Sequence, residues 1–145
     1  MFTPCLNCIL LIDDDEDDNL IHSDLIESLQ VTKHLEIATN GIVAMEYLSM
    51  VYSANDPTLY PKPDLIFLDL NMPKMNGFEF LEEYEQMIGV FDSDPRITVL
   101  TTSAVPEDRQ QALQYPMVQG FELKPLMEKN IMHLVQASFP SMYRA

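Results

Sequence analysis

Glycine is scarce in this 145-residue chain: there are four, at positions 41, 77, 89 and 120, far apart from one another. That dispersal excludes the glycine-rich phosphate loops G-x-x-x-x-G-K and G-x-G-x-x-G, and no serine stands in a G-x-S-x-G elbow. Cysteine is limited to Cys5 and Cys8. A redox C-x-x-C opens a helix after a strand, whereas Cys8 leads into a strand-like run. A zinc site needs two more ligands at suitable spacing, and His22, His34 and His133 are scattered. The pair is expected as free thiols in a reducing compartment. No apolar stretch approaches the ~20 residues that span a bilayer. No basic segment precedes the short run Cys8–Ile12, which stops at a block of acids, so no secretory signal is read. The expectation is a soluble, cytoplasmic chain. Cations are few: eight Lys and Arg against 23 Asp and Glu, a net charge of −15. Such a field repels nucleic acid and anionic membranes and attracts cations and basic partner surfaces.

What is present is a core. Apolar residues make up 47% of the sequence, enough for one domain of ordinary size without disulfides. The expectation is a single domain over residues 1–145 with no output domain. Cys8–Ile12 is a continuous apolar run of strand length, which suits a strand covered on both faces. Asp17–Gln30 places Ile21, Leu25 and Leu29 four apart and predicts a helix, with Asp17 or Asp18 as its N-cap. Leu35–Ala38 is a short strand. Asn40-Gly41 then breaks the chain, and Ile42–Val51 predicts a helix with Ala44, Leu48 and Val51 on one stripe. Tyr52–Pro63, with three prolines, predicts a loop. Asp64–Leu68 is the next strand, ending at Asp69. A turn-rich loop, Asn71–Gly77, leads to a helix over Phe78–Ile88 with Leu81, Tyr84 and Ile88 aligned. Ile97–Leu100 is β-branched and strand-like. Pro106-Glu-Asp108 opens a weakly amphipathic helix, since proline suits a first turn. Gly120–Leu123 is a fifth strand, and Leu126–Phe139 a final helix facing inward with Ile131, Leu134 and Val135. Strands alternating with helices predict an α/β fold, a parallel sheet with helices on both faces.

In such sheets ligands bind beyond the carboxyl ends of the strands. The notable polar residues fall there: Asp13 and Asp14, Asp69, Thr101 and Thr102, and Lys124. Three carboxylates at one edge repel each other unless a cation joins them, and a hard divalent ion such as Mg²⁺ suits oxygen donors. A calcium loop with alternating acids and a central glycine is absent. In the acidic run Asp13–Asp18 the first two residues read as site residues and the last two as helix-cap residues. Asp15 and Glu16 read as solvated. An aspartate nucleophile, a divalent cation and a lysine together meet the needs of phosphoryl transfer.

The pieces ILLIDDDEDD (Ile9–Asp18), PDLIFLDLNMPKMNGFEFL (Pro63–Leu81), LTTSA (Leu100–Ala104) and FELKP (Phe121–Pro125) resemble, in order, the receiver-domain family of response regulators, whose chemotaxis member is a single domain. The resemblance implies a doubly wound, flavodoxin-like sheet with strand order 2-1-3-4-5 and five helices. It implies Asp69 as phosphoacceptor. Asp14, Asp69 and the backbone carbonyl of Asn71 are implied as Mg²⁺ ligands, with Asp13 acting through metal-bound water. Lys124 is implied as the phosphate-binding lysine, with the bond to Pro125 cis. Thr102 is implied as the switch hydroxyl, because its separation from Lys124 (124 − 102 = 22) fits the family spacing. Phe121 stands where the family has its mobile aromatic. The implied partners are a histidine kinase or phosphotransfer protein and an unknown downstream protein that reads the surface of the fourth helix, fifth strand and fifth helix. The implied role is signalling, not an enzyme acting on a separate substrate.

Two other readings use the same residues. A Mg²⁺-dependent aspartyl-phosphate phosphohydrolase also places an aspartate at a strand end, but has a second acid two residues on, where Asn71 stands. A receiver-like interaction module that is never phosphorylated usually loses one of the acids, the threonine or the lysine, and all are present. The loop Tyr52–Pro63 is longer than the family norm, and Ala104 stands where other members often carry polar or acidic groups.

Overall fold

A computed structural model describes residues 6–88, 92 and 95–138. Cys5 of the cysteine pair and Phe139 at the expected end of the last helix lie outside that range. In chain order the elements are β1 (Leu6–Ile12), α1 (Glu16–Leu29), β2 (Thr32–Ala38), α2 (Gly41–Ser53), β3 (Leu65–Leu68), α3 (Gly77–Met87), β4 (Arg96–Thr101), α4 (Pro106–Leu113), β5 (Val118–Leu123) and α5 (Glu128–Ser138). Every element expected from the sequence is present. The strands form one parallel sheet in the order β2-β1-β3-β4-β5.

Side-chain alternation along the strands divides the core in two. Ile66 and Leu68 of β3 pack with Ala44 and Leu48 of α2 and Phe80, Leu81 and Tyr84 of α3. Leu65 and Phe67 pack on the other face with Ile26 of α1 and Ile131, Leu134 and Val135 of α5. Apolar residues on both faces explain why β1 and β3 read as unbroken apolar runs. Each fully buried Leu or Ile contributes roughly 1.5–3 kcal/mol.

The helix ends follow local chemistry. The carboxylate of Asp15 accepts from the backbone N–H groups of Asp17 and Asp18 and caps α1. The expected cap, Asp17 or Asp18, therefore moves to Asp15, and Asp18 becomes free for another partner. Asn40 caps α2, so the expected break at Asn40-Gly41 is the helix start. Asn76 and Glu79 form a reciprocal capping box on α3. The buried face of α1 also differs from the expected stripe. Ile21 is exposed, and Asn19, His22, Ser23 and Ile26 face inward. At its N-terminal end this helix covers polar strand ends rather than the apolar core, so its inward residues there are polar.

The sheet reverses its winding between β1 and β3, which places a crevice at their carboxyl ends. The segment between α2 and β3 lies at the opposite end. It is held by a Tyr47 hydroxyl donating to Pro61 O and by Asp56, which accepts from Thr58 and Leu59 N–H.

Candidate functional site

The ladders of β1 with β3 and of β1 with β2 each continue one residue past the strands. Asp69 N–H donates to Ile12 O at 2.9 Å, and Asp13 N–H to Ala38 O at 3.1 Å. Asp13 and Asp69 are thereby fixed side by side, with Asp14 next in the chain. Asp13, Asp14 and Asp69 each offer an oxygen, and these oxygens lie within 4.8 Å of one another. Asp13 and Asp69 are buried and Asp14 is exposed. Gly77 lets the next helix start against this strand end. A Cβ there would meet Asp69 O and Leu70 Cα, both at 2.7 Å.

Lys124 enters from β5, its N–H donating to Thr101 O at 2.8 Å. Its Nζ stands 2.6 Å from Asp13 Oδ2, 2.7 Å from Asp18 Oδ2 and 3.8 Å from Asp69 Oδ1. The bond from Lys124 to Pro125 is cis. Burial alone would lower the pKa of this ammonium. The hydrogen bonds to Asp13 and Asp18 and the charge of Asp69 outweigh it and hold the pKa above its ordinary value. Asp69 is pushed up to about 6, first by burial and then by the charge of Asp13. Lys124 and the backbone N–H of Asn71 pull the other way. Near neutral pH Asp69 is thus mostly an ionised carboxylate in a site that disfavours its charge. That condition invites a cation or a covalent change.

The donors are all hard: carboxylate oxygens from two adjacent strand ends, with no thiolate or imidazole in the group. Such a set suits a small divalent ion that prefers oxygen and keeps some of its water. The side chain of Asn71 is exposed, two residues past Asp69.

The two threonines differ in placement. Thr102 lies past β4 and is exposed, whereas Thr101 ends the strand and is fully buried. By alternation Thr101 shares the face of Ile97 and Val99, and Phe121 packs against that same cluster. The β4–β5 register is irregular, which changes the position on β4 reached by counting back from Lys124. Ile97 pairs with Val118 and Thr98 with Gly120, so Gln119 is an extra residue in β5. Phe121 is half-buried, with the Arg109 guanidinium carbon 6.0 Å from its ring centre.

Three site neighbours are not singled out by the sequence reading. Asp18, assigned there to the helix cap, pairs with Lys124. Asn19 donates from Nδ2 to Asp13 O at 2.9 Å. His22 Nε2 accepts from Leu126 N–H at 3.1 Å, and burial lowers its pKa. Residues 18, 19 and 22 share one helical face. That periodicity was available in the sequence, but the apolar series 21, 25 and 29 drew the stripe elsewhere.

Residues 9–136 match the family model described as "Response regulator receiver domain". Response regulator Rcp1 of Synechocystis is 32% identical over 103 residues, which cover 69% of this chain and 65% of that protein. The solved Mn(2+)-bound form of Rcp1 matches with a TM-score of 0.63, covering 90% of each chain. The two-component response regulator ARR17 of Arabidopsis thaliana is 30% identical, over 82% of this chain and 81% of its own length. A two-component response regulator from Cytophaga hutchinsonii gives a TM-score of 0.83 at 25% identity, covering 93% of this chain and 98% of that one. With the family model matched over most of the sequence and the strand order the same as expected, the chain belongs to the response regulator receiver domain family.

Proposed function

We propose that Asp69 accepts a phosphoryl group from the phosphohistidine of a histidine kinase or phosphotransfer protein, or from a small phosphodonor, in the cytoplasm. The observation that carries this reading is the convergence of Asp13, Asp14 and Asp69 on one side and the Lys124 ammonium on the other. An Asp69 carboxylate oxygen forms the new bond to phosphorus. The donor's P–N bond breaks, and its electron pair stays on the imidazole nitrogen. Lys124 supplies a cation beside the developing charge. Asp14, Asp69 and the carbonyl of Asn71, with Asp13 through water, are the residues that would hold Mg²⁺. When bound, that ion offsets negative charge on the transferred oxygens. That a similar protein, Rcp1, was solved in a Mn(2+)-bound form supports a divalent ion as a ligand of this chain.

The switch hydroxyl expected of Thr102 is better assigned to Thr101, which is buried on the side of the sheet where Phe121 packs. Drawing Thr101 toward an acyl phosphate opens space for Phe121 to follow. A groove of about 510 Å³ runs along Pro106, Arg109, Phe121, Leu123 and Met127, on the face made by α4, β5 and α5. A downstream protein reads that face as its two states exchange. We read the chain as a single receiver domain acting through this surface, without turnover of a separate substrate.

The test is intact-mass measurement after incubation with acetyl phosphate and Mg²⁺. One base-labile phosphoryl adduct is expected on the parent and none on Asp69→Asn. An unmodified parent would remove the reading. Rapid steady hydrolysis of small phosphate esters would instead favour a phosphohydrolase.

A further inference from the structure

Asp18 is not part of the oxygen cluster formed by Asp13, Asp14 and Asp69. It nevertheless holds the Lys124 ammonium as closely as Asp13 does, at 2.7 Å against 2.6 Å, while the carboxylate of Asp69 waits at 3.8 Å. An ammonium has three N–H donors, and here two are committed before any phosphoryl group arrives. The two partners differ in what release costs them. The Asp13 side chain is 7% exposed and would be stranded without a counter-charge, whereas that of Asp18 is 31% exposed and can be rehydrated. Asp18 is therefore the partner that Lys124 gives up first.

The backbone around the lysine is fixed from both sides. Lys124 N–H is held by Thr101 O, and Leu126 N–H by His22 Nε2. Asp18 and His22 lie on the same helix, so α1 anchors the main chain after Lys124 and also the tip of its side chain. What remains free to move is the side chain between two acceptors.

We infer, resting on the phosphoacceptor reading above, that Asp18 is a positioning residue. It holds the Lys124 ammonium away from Asp69 in the unmodified protein and competes with phosphoryl oxygens for it. The exchange moves no proton and breaks no covalent bond. The ammonium leaves a carboxylate oxygen of Asp18 and engages an oxygen of the group on Asp69. Asp18 thereby sets how readily the phosphorylated state is reached, without touching the reacting atoms.

The probe is beryllofluoride with Mg²⁺, a mimic of the acyl phosphate, titrated by ¹⁹F NMR. Mg²⁺ affinity is measured separately for each variant, and melting curves confirm folding. Asp18→Asn should bind beryllofluoride about three- to tenfold more tightly than the parent, as expected for release of a partly exposed ion pair. Asp18→Glu, which restores the carboxylate, should return to the parental affinity. In a Lys124→Ala background the Asp18→Asn change should have little effect. If the parent fails to bind the probe, the phosphoacceptor reading fails. If the parent binds but Asp18→Asn binds no better, the role of Asp18 is overturned while that reading stands. An enhancement that persists in full without Lys124 also overturns it, because it would reflect general charge removal alone.

Discussion

At the scale of single residues, the protein holds Asp69 in a conflict. Its carboxyl is buried among like charges, and its pKa rises to about 6. A folded-state pKa above the unfolded value of about 4 means the native state binds the extra proton between those two values. Without a metal, stability should therefore fall as pH rises through that window and stay lower above it. Asp69→Asn removes the repulsion, so the metal-free variant should be more stable than the parent at pH 7, by on the order of 1–2 kcal/mol. The gain should shrink below about pH 4, where Asp69 is already neutral. Chemical denaturation at both pH values checks this. Equal stability at pH 7 would show that Lys124 fully offsets the burial. Asp13, Asp14, Asp69 and Lys124 were legible from the sequence because they stand at the carboxyl ends of strand-like segments. The buried placement of Thr101 was not, because one extra residue in β5 shifts any count made from Lys124. Asp18 and His22 were hidden because their roles depend on which face α1 turns inward, and polar strand ends decide that.

At the scale of elements, α1 does two jobs: it closes one face of the core with Ile26, and it delivers Asp18, Asn19 and His22 to the site. Its N-terminus depends on Asp15, which accepts from two backbone N–H groups. Asp15→Ala should cost about 1 kcal/mol of stability and speed hydrogen exchange in the first turn of α1. An unchanged exchange rate there would mean that Asp18 pairing alone fixes the turn. The start of α3 is constrained differently. Gly77→Ala would press a methyl group against the backbone of Asp69 and Leu70. It should cost about 1–3 kcal/mol, as overpacking does, and slow phosphorylation as well. Normal stability with normal phosphorylation would show that the loop yields. Element types were readable because alternation of apolar runs and helical stripes survives in the sequence. Boundaries moved where a cap or an edge strand decided them, as at Asn40 and at the start of β2.

At the scale of the whole molecule, a reversal in strand order makes a crevice and a large negative charge fills it. Mg²⁺ should raise the melting temperature in proportion to the logarithm of its concentration, worth about 2.7 kcal/mol at a hundredfold excess over Kd. Asp14→Asn should lose most of that rise. On the proposed function, the groove beside Phe121 is the surface that this charge event changes. Lys124→Ala should still accept a phosphoryl group but leave the backbone amide shifts of α4, β5 and α5 unmoved. Equal shift changes in variant and parent would separate Lys124 from the switch.

On the proposed function one carboxylate, at position 69, becomes the acyl phosphate. Borohydride reduction after acetyl phosphate and Mg²⁺ treatment, followed by peptide mass analysis, reads that directly. Homoserine at position 69 and nowhere else is the predicted result. Homoserine at 13, 14 or 18, or no reducible product at all, would contradict it.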